Sequence, residues 1–233
     1  MSIKRLIFVF AIFFLSFSLV KLPFSLLKPT NSHINFHGTV WNGTANNIKS
    51  PFGPISILFN AAPLSLPLLK ISGEWMINSR GMQASGTASK SIFSTPSITN
   101  SIIDINLAAL NLEEAIIGNL TITIQSLELS SNGECLTADG TARTDALIRS
   151  QDSLKWQGPM LEGPIECNNG DFIINLSGQK DNDKVNFSTR FDRLGQYQNT
   201  IILESPNPVL GLALIYQGFD QKEERFTLQR NGR

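Results

Sequence analysis

Apolar and polar residues alternate along long stretches of this 233-residue chain, and that period of two restricts its fold class more than any other feature. Leu120, Ile122 and Ile124 alternate with Thr121, Thr123 and Gln125, which describes a strand buried on one face with its threonines outward. Beyond Ser126 the alternation resumes in the opposite phase, with Leu127 and Leu129, as far as the turn Ser131-Asn132-Gly133. A change of phase swaps the two faces, so a β-bulge is predicted near Ser126. Phe172, Ile174 and Leu176 form another stripe, and Val185, Phe187, Thr189 and Phe191 the next. The polar run 180–184 between them predicts a hairpin with a long charged loop. Weaker strands are predicted over 55–59, 69–77, 82–89, 102–107, 142–148, 200–204 and 225–229. Helix signals are confined to 111–117 and 208–217, where Pro208 suits a first helical position ahead of an apolar run. Strands at roughly ten-residue spacing without long helices predict a mostly β fold. The expected architecture is one antiparallel, curved, meandering sheet with few short helices.

The N-terminus bears on location. Lys4 and Arg5 precede the apolar run 6–20, diluted only by Ser16 and Ser18. Fifteen helical residues reach about 22 Å, short of a hydrocarbon core of roughly 30 Å. Residues 22–27 extend the apolar character and Lys21 can snorkel, so 6–27 is expected to form a transmembrane signal-anchor helix. A cleaved signal peptide is the rival reading, although no Ala-x-Ala-like site follows the run. The positive-inside rule then gives a cytoplasmic tail, 1–5, and a β-rich domain, 28–233, outside the cytoplasm.

Cys135 and Cys167 are the only cysteines, both in polar, glycine-containing segments expected to be turns. Exported chains seldom keep free thiols, which favours a disulfide over two unrelated cysteines. Two cysteines this far apart without a nearby His lack the spacing of a zinc site. Lys plus Arg and Asp plus Glu both number 19, and that balance speaks against a nucleic-acid partner.

No residues assemble into a catalytic pattern. His33 and His37 stand four apart but ahead of a glycine-containing turn, with no third metal ligand close by. Glu128, Asp104, Asp139 and Asp171 are scattered singly. Nucleophile-elbow, Walker and dinucleotide glycine motifs are absent, and the body lacks the His of a Ser-His-Asp arrangement. The sequence therefore points to no enzyme, no metal and no cofactor.

One short motif stands out: Gly38-Thr39-Val40-Trp41-Asn42-Gly43, in which two glycines bracket a strand-like segment carrying a Trp. The glycines allow tight reversals or close backbone approach, and Trp41 is either a core anchor of the sheet or an aromatic contact for a partner. A short N-terminal tail, one apolar span, this motif and two spaced cysteines together resemble the type II secretion system protein N family. The resemblance implies a single-pass bacterial inner-membrane protein with a periplasmic β-rich domain. It implies an accessory part of the apparatus that exports folded proteins, whose partners are other secretion subunits. A sheet with one apolar face and no covering helices must close, pair or hold a ligand. The alternative reading is therefore an anchored, groove-forming envelope protein that binds lipid.

Overall fold

The computed structural model describes residues 34–50, 53–61, 70–91, 94–110, 117–154 and 156–232. Within them lies one sheet of 14 antiparallel strands, the mostly β meander that the alternation predicts. They are β1 (Asn35–Gly38), β2 (Asn42–Ser50), β3 (Gly53–Ala61), β4 (Lys70–Asn78), β5 (Met82–Ser91), β6 (Ser97–Asn106) and β7 (Asn119–Leu129). Then follow β8 (Cys135–Thr144), β9 (Leu161–Asn168), β10 (Asp171–Lys180), β11 (Asp183–Phe191), β12 (Tyr197–Glu204), β13 (Asp220–Lys222) and β14 (Arg225–Gly232). Spatial order follows chain order through β12, and β14 then precedes β13. The expected tail 1–5 and anchor 6–27, His33, and all but the last residue of the expected helix 111–117 lie outside the described residues. Among the described residues no helix is long and apolar enough to cross a membrane.

Antiparallel neighbours place the connections alternately at two ends of the sheet. One end carries the β1–β2, β7–β8, β9–β10 and β11–β12 turns. The other carries, among the described residues, every helical connection: a 3-10 turn at Leu107–Leu110, α1 (Ala146–Arg149), α2 (Gln151–Leu154) and α3 (Pro208–Tyr216). The chain also enters β1 at this helix end, because β1 finishes at the turn into β2 on the opposite one.

The main core lies on one face of β7–β12 and β14. Ile122, Ile165, Ile174, Val185, Leu203 and Phe226 come from six different strands and are buried in one cluster, so the sheet must curl. Each such side chain stabilises the fold by about 1.5–3 kcal/mol. Leu210 and Leu214 of α3, Leu147 of α1 and Trp156 close this cluster at the helix end. The register shifts between Ile124 and Ser126, the predicted bulge, and it leaves both Ile124 and Leu127 buried. The same inward face continues across β2–β6 through Ile57, Phe59, Trp75, Ile77, Met82 and Ile103, but there the side chains are only half-buried.

Three expectations need correction. The run 180–184 is no long loop: Lys180 pairs with Asp183 across a two-residue turn, with Asp181 left-handed at φ 52°. The polar sequence concealed strands that continue to the turn itself. The predicted strand 142–148 stops at Thr144, whose Oγ1 accepts the Ala146 N–H at 3.2 Å as α1 begins. Both cysteines lie on strands, Cys135 opening β8 and Cys167 near the end of β9.

Candidate functional site

The structure makes the Gly38–Gly43 motif the turn of the β1–β2 hairpin rather than a strand. Thr39 organises it. Its N–H donates to the Asn42 carbonyl at 2.9 Å, and its Oγ1 accepts the Asn42 N–H at 3.1 Å and the Trp41 N–H at 3.4 Å. Gly38 has φ +89°, and a Cβ there would strike the Asn42 carbonyl oxygen, so both conformation and space require glycine. Gly43 is buried and faces Phe59 on β3. Val40 and Trp41 are half-buried, and the Trp41 carbonyl accepts the Ala61 N–H at 2.5 Å, tying the turn to the last residue of β3.

Cys135 and Cys167 are joined as a disulfide at this same end, with β3–β7 between them and the turn. The Cys135 N–H also donates to the Gly170 carbonyl at 2.8 Å, which holds the β9–β10 turn against the start of β8. Nearby, Arg193 pairs with Glu134 at 3.3 Å, and Phe172, Phe191 and Tyr197 form a ladder with ring centroids 6.4 Å apart. The motif and the disulfide thus share an end of the sheet without forming one cleft.

The outward face of β2–β6 carries a surface that the sequence reading missed. Register aligns Thr44, Leu58, Met76, Ser85, Ile102 and Thr123 in one row across six strands. Its three large apolar members are exposed: Leu58 by 42%, Met76 by 47% and Ile102 by 49%. Beside it lies a depression of about 500 Å³ lined by Asn42, Asn60, Glu74 and Thr87, so the motif and the apolar row border one surface. A signal was present in the sequence. Ile57-Leu58-Phe59, Trp75-Met76-Ile77 and Ile102-Ile103 are consecutive apolar residues, and a strand can turn only alternate positions inward.

Charged groups do not converge on this surface. His37 lies on β1 opposite Thr44, while Asp104 accepts from Thr121 Oγ1 at 2.6 Å and Asp171 pairs with Arg190. Asp145 stands at the helix end. Partial burial pushes its carboxyl up, but the Asn119 N–H and the Arg149 guanidinium outweigh that and hold it below the usual carboxylate range. Among the described residues no three His, Cys, Asp or Glu side chains come together to hold a metal.

No curated protein and no solved structure matches the chain. The sequence model of one family does, over residues 34–215, which takes in the hairpin turn, both cysteines, the exposed apolar row and nearly all of α3. The chain belongs to the family of the type II secretion system (T2SS), protein N.

Proposed function

We propose that this protein is an accessory, non-enzymatic subunit of the type II secretion machinery, anchored in the inner membrane by residues 6–27 with its β body in the periplasm. Its work is contact with other secretion subunits. One observation supports this reading above the rest: Leu58, Met76 and Ile102 leave three large apolar side chains in a row on a face that otherwise meets water. Interfaces bury an apolar core, in which Met is enriched, inside a polar rim, and the bordering polar groups would form that rim. The test replaces Met76→Asp and Leu58→Asp in the full chain, followed by thermal melts, co-purification of identified secretion subunits and measurement of exported protein. Unchanged melts with lost co-purification support the reading. Variants that bind and export like the parent overturn it.

A second reading rests on the inward face. Ile57, Phe59, Ile77 and Met82 are half-buried, and among the described residues no helix covers β2–β6 as α3 covers the C-terminal strands. An acyl chain would complete their burial. Lipid extracted with the purified protein and identified by mass spectrometry, then lost on Ala84→Trp, supports that reading; its absence from the parent protein removes it.

A further inference from the structure

Helix α3 is apolar on every side. Its nine residues, PVLGLALIY, include no charged group. Three contacts fix which way it faces. Leu210 is buried, Leu214 packs on the core, and a Cβ on Gly211 would meet the Phe226 ring at 2.7 Å. The opposite side therefore projects Leu212, Ile215 and Tyr216, which are exposed by 71%, 44% and 91%. Ile117, also at the helix end, is 45% exposed. A helix apolar all round is normally buried or in contact with lipid.

The path of the chain identifies the occupant. β1 begins at the helix end, the same end of the sheet that carries α3 at its other edge. Between position 27, where the apolar N-terminal stretch ends, and β1 lie only seven residues, 28–34. Fully extended they reach at most about 25 Å, which keeps the start of β1, one corner of the helix end, near any bilayer holding that stretch. On this basis we propose that α3 docks on the membrane surface through Leu212, Ile215 and Tyr216, so that the helix end rests on the lipid and the disulfide end points away. The proposal rests on the inner-membrane anchor put forward above. At about 13.5 Å the helix is too short to span and lies in the interface instead. Tyr216, apolar in body and polar at its tip, suits the headgroup layer. Charge plays little part, because Lys222 and Arg225 leave only one negative charge uncompensated among Asp220, Glu223 and Glu224 at the start of the hairpin that follows α3.

The test uses the full chain in nanodiscs of phosphatidylcholine alone or mixed with phosphatidylglycerol. An environment-sensitive fluorophore is attached at Leu212→Cys, or at Leu194→Cys as the control. Leu194 is 65% exposed in the turn after β11, at the disulfide end, so neither variant threatens the fold. Without reductant the native cysteines stay joined and unlabelled. A spin-labelled lipid should remove about half of the Leu212 signal in both compositions and leave the Leu194 signal intact. Equal quenching at both positions, or at neither, overturns the docking. A Leu212 probe shielded from iodide but untouched by the lipid quencher assigns the ridge to a protein partner or a second copy, and overturns it too. Flotation with vesicles reads the anchor separately. A chain that floats with an unquenched Leu212 probe loses only the docking, whereas one that does not float loses both readings.

Discussion

Gly86 on β5 stands directly against Ser101 on β6: a methyl group at Gly86 would overlap the Ser101 hydroxyl and lie 3.0 Å from its Cα. Ser101 is fully buried, with its hydroxyl donating to the Thr99 carbonyl at 3.1 Å, so it has no free direction in which to yield. Gly86→Ala should therefore destabilise the protein by about 1–3 kcal/mol through overpacking. Adding Ser101→Gly should recover part of that loss, because the clash disappears with the side chain. Urea unfolding of both single variants and the double variant measures the coupling.

Breaking the Cys135–Cys167 bridge should lower stability without abolishing any reaction. The two residues are 32 apart in sequence, and closing a loop of that size contributes about 3.7 kcal/mol on the chain-entropy estimate. Alkylation without reductant should label neither thiol in the parent protein. The paired Cys135→Ser and Cys167→Ser change should lower the melting temperature and the cellular abundance.

Two substitutions in the β1–β2 turn should act through the fold. Gly38→Ala forces a left-handed alanine against the Asn42 carbonyl and should cost about 1–2 kcal/mol from conformation alone, before the clash is added. Trp41→Ala removes a half-buried ring beside a carbonyl that holds Ala61, and should cost about 2 kcal/mol or more. Thermal melts combined with subunit co-purification decide its role. A lowered melt makes Trp41 a sheet anchor, and an unchanged melt with lost binding makes it a contact residue.

Acid should loosen the junction of β7 with α1. The Asp145 carboxyl is held below its unfolded value, so its stabilisation is complete above the unfolded carboxylate range and is lost as pH falls through the folded value. Asp145→Asn removes the charge that accepts the Asn119 N–H and pairs with Arg149. Melting curves of parent and variant should differ near neutral pH and converge in acid.

The strands were legible wherever one face is dry and the other wet, as at Leu120–Ile124 and Val185–Phe191, because burial on one side imposes the period of two. The phase change at Ser126 revealed a bulge for the same reason. Turn geometry was less legible. Asp181 and Asn182 looked like part of a charged loop, since nothing local announces that Asp181 takes φ 52° and closes the chain in two residues. The Gly38–Gly43 motif showed its glycines but hid its turn, because Val40 and Trp41 have strong strand preferences that the Thr39 hydrogen bonds override. The exposed row was hidden for another reason. Whether Leu58, Met76 and Ile102 line up depends on register between neighbouring strands, which no single strand contains.

The order of the strands bears on how such a chain is made. From β1 to β12 each new strand pairs with the one just completed, and only β13 waits for a later strand. Through β12, a polypeptide emerging N-terminus first from a narrow opening has its template already in place. No strand before β13 waits for a distant partner, and through β12 every pairing joins strands that are consecutive in the chain. Even Cys135 and Cys167 sit on neighbouring strands, so the covalent bond closes one local step. Growth at a single moving edge is assembly by accretion, suited to any chain that takes shape while it is still emerging.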